Sequence, residues 1–208
     1  MERLTIQVGG FEVNCSILSE NGKALVVDPG QEADRIVGML SERNLDPVAV
    51  LLTHAHFDHI GAVPGLLKAF PDLPVYIHEK DLPVITHPIN QFPPEYPAMA
   101  RHKNFTALPA TNPLLIPPFE LQVIETPGHT PGGVCYYFPT AEPQPLLLSG
   151  DTLFASSIGR TDLPGGDMAT LMDSLKKLTA LPDDTLVVPG HGSQTTIAAE
   201  KRGNPFLR

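Results

Sequence analysis

The sequence predicts an α+β fold in which β-sheets are covered by helices. Strand-like stretches dominate both halves of the chain, and helical stretches stand between them. The residues suited to chemistry lie where predicted strands end, the position from which loops carry function on a rigid scaffold. At 208 residues, a single domain over 1–208 with a sizeable core is the expected organisation.

The elements follow in order. Leu4, Ile6 and Val8 alternate with polar residues, and after the Gly9-Gly10 turn Val13 to Leu18 reads as a second strand. Ala24 to Val27 is a continuous apolar run closed by the turn signal Asp28-Pro29-Gly30. From Glu32 to Arg43, apolar residues at Ile36, Val37, Met39 and Leu40 have helical spacing. Val48 to Leu52 is a buried strand that runs straight into Thr53-His54-Ala55-His56-Phe57-Asp58-His59. Ile60 to Phe70 reads as a helix with a break or late start at Pro64, and Val75 to Ile77 as a short strand. Five prolines between Pro83 and Pro97 mark a loop, long enough to be a lid, with Phe92 and Tyr96 as its aromatic candidates. Phe119 to Glu125, Gly133 to Phe138 and Pro145 to Ser149 read as strands. Met168 to Leu178 is an amphipathic helix with Asp167 as its N-cap. Thr185 to Val188 is the last strand, and Thr195 to Lys201 a closing helix.

Composition excludes several functions. A net charge of -9 without a Lys/Arg run repels nucleic-acid phosphates. The apolar runs are too short to span a bilayer, and the first ten residues form no signal-peptide core. Cys15 and Cys135 are the two cysteines; they are expected as buried, reduced thiols, and the protein as cytoplasmic. The 23 prolines in 208 residues are roughly twice average usage, so rigid loops are expected in place of long helices.

Five of the eight histidines stand in motifs. His54, His56 and His59 share one stretch with Asp58; His129 lies in Thr126-Pro-Gly-His-Thr-Pro-Gly-Gly133; Asp151 follows Ser149-Gly150; His191 lies in Pro189-Gly-His-Gly192. Residues two apart in an extended segment point the same way, so His54 and His56 can reach one ion together. Asp58 and His59, past a bend at Phe57, can face a neighbouring one. Imidazole and carboxylate suit zinc, iron or manganese better than calcium or magnesium, and the lack of clustered cysteine argues against a structural zinc site.

This His-x-His-x-Asp-His run, with a later His, Asp and His, resembles the metallo-β-lactamase superfamily, specifically its short, single-domain glyoxalase II-like branch. The resemblance spans the chain from Asp28-Pro-Gly30 to Pro189-Gly-His-Gly192. It implies an αββα four-layer sandwich of two mixed sheets flanked by helices. It also implies two divalent metal ions, zinc foremost and iron or manganese as alternatives. His54, His56 and His129 would hold the first ion and Asp58, His59 and His191 the second, with Asp151 bridging. No helical C-terminal glutathione-binding domain is expected, since seventeen residues follow His191.

The implied reaction is hydrolysis of a small acyl-thiol, such as S-lactoylglutathione, by a metal-bound hydroxide. Zinc brings the pKa of bound water to about 7, and a thiol leaves easily because its own pKa is about 8.5. Asp58, besides ligating, is the candidate catalytic residue that accepts a hydrogen bond from the nucleophile. Arg160 is the local cation for a substrate carboxylate, against the plainer reading of an Arg160–Asp162 pair that shapes its loop. His78, His87 and His102 fall outside the motifs, as surface or loop residues. Two rivals remain. Persulfide dioxygenases, which use a single iron, resemble the chain at Gly159-Arg-Thr-Asp162 and Asn204-Pro205; a lactonase would use the same nucleophile. No membrane or nucleic-acid partner is expected.

Overall fold

The alternating amino-terminal stretch forms β1 (Glu2–Val8), which turns Ile6 and Val8 inward and pairs antiparallel with β2 (Val13–Glu20). The computed structural model describes residues 1–91 and 102–207. These gather into two units, Met1–Leu108 with Ile116–Phe119, and Pro109–Leu115 with Glu120–Arg208. Each unit holds a helix-covered sheet, and both sheets are mixed.

In the first unit β2 is followed by β3 (Lys23–Val27), α1 (Ala33–Glu42) and β4 (Asp46–Leu51). Then come α2 (Phe57–Ile60), α3 (Val63–Ala69), β5 (Val75–Ile77) and β6 (Phe105–Ala107). The sheet order is β1-β2-β3-β4-β5-β6. Pairing is antiparallel from β1 to β3 and parallel from β3 to β6. Helix α1 buries Ile36 and Leu40, one turn apart as their spacing requires, in a core shared with Val26, Val50, Val63 and Leu66.

The helix expected from Ile60 to Phe70 is broken into α2 and α3. Pro64 stands at the start of α3, where no backbone N–H is needed, so it starts a helix instead of kinking one. A Cβ at Gly65 would meet the Cβ of Ala33, which marks a close approach of α3 to α1. Gly65→Ala is therefore expected to destabilise the protein by about 1–3 kcal/mol despite alanine's better helix propensity. The urea midpoint reads this directly; an unchanged or higher midpoint refutes the close approach.

The proline-rich stretch is not a featureless loop in its described part. Val84–Thr86 and Pro88–Gln91 form two 3₁₀ turns within it, a conformation that proline's fixed φ suits, and Glu79–Asp81 forms another just before it. Phe92 and Tyr96, the aromatic lid candidates, lie outside the described residues.

The second sheet is built from β7 (Leu114–Ile116), β8 (Phe119–Glu125), β9 (Val134–Phe138) and β10 (Leu146–Gly150). A small hairpin of β11 (Leu153–Phe154) and β12 (Ser157–Ile158) follows, then α4 (Met168–Thr179), β13 (Leu186–Pro189), β14 (Thr195–Thr196) and α5 (Ile197–Gly203). The sheet order is β14-β13-β10-β9-β8-β7, with β10 and β13 parallel. Asp167 caps α4 as its sequence position predicts, accepting the Thr170 N–H at 2.7 Å. Leu171, Leu175 and Leu178 bury the apolar face of α4.

The closing helix begins two residues later than its pattern indicates. Thr195 and Thr196 first pair with Val187 and Leu186, and Thr196 then caps α5. Cys15 and Cys135 are buried free thiols, and burial pushes the Cys15 thiol well up from its ordinary value. Among the described residues no helix is long and apolar enough to cross a membrane.

Candidate metal centre

In the first unit, β3 and β4 are parallel neighbours, so the chain leaves both at the same end. Asp28 stands just beyond β3, and Thr53 to His59 just beyond β4. The Asp28 carboxylate is 3% exposed and meets its need for donors locally. It accepts the Thr53 N–H at 2.8 Å, the Thr53 hydroxyl at 2.7 Å and His59 Nδ1 at 3.0 Å. With its proton given to Asp28, Thr53 Oγ1 is free to accept from His54 Nδ1 at 3.0 Å. Both imidazoles thus carry their proton on Nδ1, leaving the Nε2 lone pair as the ligand atom. Metal-binding histidines are characteristically oriented in this way.

The backbone between His54 and His56 is held from both sides. Ala55 N–H donates to the buried Asp81 carboxylate at 3.0 Å, and Ala55 C=O accepts from buried Asn90 at 2.6 Å. The His54 ring centroid lies 4.8 Å from that of His56 and 4.1 Å from that of His59. Asp58 Oδ2 is 3.9 Å from His59 Nε2. Gly30 is required beneath this cluster, because a Cβ there would strike the Asp58 carbonyl oxygen.

The second unit builds its part in the same way. The Thr126–Gly133 loop joins β8 to β9 and is closed by Thr126 N–H donating to Gly133 C=O at 2.8 Å. Gly128 has φ +135°, and a Cβ there would lie 2.5 Å from Leu171, so α4 packs against the loop that presents His129. His129 Nδ1 donates to the Arg160 carbonyl at 2.7 Å. Parallel β10 and β13 end side by side, tied by Gly190 N–H to Gly150 C=O at 2.8 Å. They deliver Asp151 and His191 together.

Asp151 Oδ2 lies 3.5 Å from His129 Nε2 and 3.7 Å from His191 Nε2. These separations exceed a good N–H···O hydrogen bond. They match the roughly 3.4 Å between two ligands that each sit about 2.1 Å from a tetrahedral ion.

The chemistry of the donors fits a divalent transition metal. Among the described residues, the candidate metal ligands are His54, His56, Asp58 and His59 in the first unit and His129, Asp151 and His191 in the second. They offer imidazole and carboxylate atoms without thiolate, a set that suits zinc, iron or manganese.

Arg160 serves the centre through its carbonyl. Its side chain, 61% exposed, forms a fork with both carboxylate oxygens of Asp162 at 2.7 Å. That fork holds the Asp162 carboxyl down at about 2. The remaining histidines are local. His78 accepts the Lys80 N–H, His102 accepts the Asn104 N–H, and His87 is exposed.

The sequence marks Asp28 only as part of a turn and Asn204 only within the Asn204-Pro205 motif, and no pattern in it singles out Asp81, Asn90 or Glu200. Their polar partners lie mostly far away along the chain. One local signal existed: a carboxylate directly after a fully apolar strand is destined for burial, and a buried carboxylate needs donors.

Comparisons with known proteins cover nearly the whole chain. The family model described as Metallo-beta-lactamase superfamily matches residues 8–191. A Bacillus subtilis protein named probable metallo-hydrolase YqgX is 41% identical over 96% of this chain and 94% of its own. The Haemophilus influenzae hydroxyacylglutathione hydrolase GloC is 36% identical over 97% of this chain and 96% of its own. Among solved structures, the BLEG-1 B3 metallo-β-lactamase superposes with a TM-score of 0.91 at 39% identity, covering 99% of each chain. TTHA1623 in a di-iron-bound form gives 0.85 at 38% identity, covering 98% of this chain and all of its own.

Proposed function

The chain belongs to the metallo-β-lactamase superfamily, and from that premise we propose that it is a hydrolase with two divalent metal ions, zinc foremost, that cleaves a thioester of a small acyl-thiol. The reading is carried by one observation. The Nδ1 atoms of His54, His59 and His129 are each occupied by a neighbouring oxygen, which aims their Nε2 atoms as ligands. We assign His54, His56 and His129 to one ion and Asp58, His59 and His191 to the other, with Asp151 shared. When bound, such a pair supplies an acidified water and a Lewis acid for the carbonyl oxygen.

The chain's own residues do the rest. We assign to Asp58, at 12% side-chain exposure, the role of accepting a hydrogen bond from the attacking water and holding its lone pair towards the acyl carbon. Asp28 and Thr53 keep the histidines in one tautomer through the cycle. Arg160 offers its guanidinium to a substrate carboxylate, which would compete with Asp162 for the same fork. A thiol needs no general acid to depart, because its pKa of about 8.5 makes it a good leaving group. The hydroxyacylglutathione hydrolase named above supports a thioester; the B3 metallo-β-lactamase supports a β-lactam as the second reading, opened by the same attack on a strained amide.

Elemental analysis of the purified protein, paired with a panel of S-lactoylglutathione, a simple lactone, a cephalosporin and a persulfide, tests this. The expected result is about two equivalents of metal and turnover highest on the thioester. Preferred turnover of the cephalosporin supports the second reading. A single iron with oxygen consumption on the persulfide refutes hydrolysis.

A further inference from the structure

The carboxy-terminal helix α5 carries a buried carboxylate that the chemistry above does not use. Glu200 is 3% exposed, and both of its oxygens are engaged. Oε1 accepts the Thr195 hydroxyl at 2.6 Å; Oε2 accepts the Ser156 N–H at 2.9 Å and the Asn204 side-chain amide at 2.8 Å. Asn204, also buried, donates in addition to the Ser157 carbonyl at 3.0 Å. Two buried side chains from the end of the chain thus close on two consecutive residues at the tip of the β11–β12 hairpin.

That tip needs them. Ser156 has φ +60°, the left-handed region that a non-glycine residue occupies only when its surroundings impose it. The strand beyond the tip is part of the metal centre. After Ile158, Gly159 donates to the Thr152 carbonyl at 3.2 Å. Gly159 also packs so tightly that a Cβ would strike the Asp151 carbonyl oxygen and lie 3.4 Å from the Cβ of His129. Arg160 then presents its carbonyl to His129 Nδ1. A four-residue path, Ser156 to Gly159, therefore links the Glu200–Asn204 pair to the group that sets the tautomer and direction of His129. The same path packs against Asp151.

We propose that Glu200 and Asn204 are positioning residues of the metal centre, acting on His129 and Asp151 through the Ser156–Arg160 segment. Burying a carboxylate is costly unless its donors are fixed, and here the donors come from this segment, from Thr195 at the foot of α5, and from Asn204. The Gly159-Arg-Thr-Asp162 and Asn204-Pro205 motifs, far apart in the chain, are on this account two ends of one brace. The inference rests on the metal reading of the site, and its test separates the two.

Glu200→Gln and Asn204→Ala would be compared with wild type and with Leu40→Ala or the milder Leu40→Val, a substitution in α1 chosen to lower Tm by the same amount. Two readouts are taken. The first is zinc affinity by chelator competition. The second is the Nδ1–H resonance of His129 in metal-free, ¹⁵N-histidine-labelled protein. The brace predicts a loss of zinc affinity of about 10–100-fold in both variants, well beyond the Leu40 control. It also predicts loss or fast exchange of the His129 ring N–H, which the control retains. Affinity no weaker than the control's, or a His129 ring N–H unchanged from wild type, overturns it. If wild type itself takes up no divalent metal, the metal reading fails, and the ring N–H alone decides whether the brace exists.

Discussion

Asp151→Ala is expected to abolish turnover and to strip metal from the protein. The carboxylate lies between His129 and His191 at ligand spacing and is assigned to both ions. Losing it removes the shared ligand and loosens whichever ion remains. Metal supplies several kcal/mol of transition-state stabilisation. A loss of about 4 kcal/mol corresponds to roughly a thousandfold fall in kcat. The measurement is steady-state thioester hydrolysis beside elemental analysis on the same preparation. Retention of two equivalents with kcat within about tenfold of wild type would remove Asp151 from the centre, and circular dichroism checks that the variant is folded.

Asp28→Ala is expected to cost the most stability. It leaves the Thr53 N–H, the Thr53 hydroxyl and His59 Nδ1 without their acceptor in a site closed to water. Each orphaned donor costs about 1–3 kcal/mol, and removing the buried carboxylate gives back part of that sum as its own desolvation cost, so a total near 3–5 kcal/mol is expected. That is a large fraction of an ordinary domain's 5–15 kcal/mol. Asp28 also has φ +49°, a conformation that asparagine tolerates and alanine resists. Asp28→Asn should therefore lose less, since it keeps one acceptor oxygen. Urea unfolding of metal-free protein isolates this effect from metal binding. A change under about 1 kcal/mol in the alanine variant would show that the carboxylate bears no load, and equal losses in the two variants would discount the backbone contribution.

The two predictions separate groups that the sequence reveals to different degrees. His54, His56, Asp58, His59, His129, Asp151 and His191 are legible because each sits in a short pattern at a strand end, and patterns within a few residues survive without coordinates. Asp28 stands in a pattern too, but its partners Thr53 and His59 lie 25 and 31 positions away. Asp81 and Asn90 reach Ala55 over 26 and 35 positions, and Glu200 reaches Ser156 over 44. No periodicity reports such pairings. Arg160 shows the same divide within one residue: its side chain drew attention, while its carbonyl holds His129.

The elements divide along similar lines. Helices α1 and α4 and strands β2, β4 and β8 are long enough for a period of 3.6 or 2, or an unbroken apolar run, to be visible. Strands β11, β12 and β14 have two residues each, and β6 and β7 three. They exist because a neighbouring strand offers hydrogen bonds, which is a property of the neighbour. The pattern of the closing helix includes Thr195 and Thr196, yet pairing with Val187 and Leu186 keeps them extended.

The sequence by itself determined the type of fold, the order of its major elements and the candidate metal ligands, because local spacing and side-chain chemistry are written along the chain. Only the tertiary structure decided which nitrogen of His54, His59 and His129 is held by a neighbouring oxygen, and which hydroxyl, carboxylate or carbonyl holds it. Those choices depend on hydrogen bonds between residues that become neighbours when adjacent parallel strands end together.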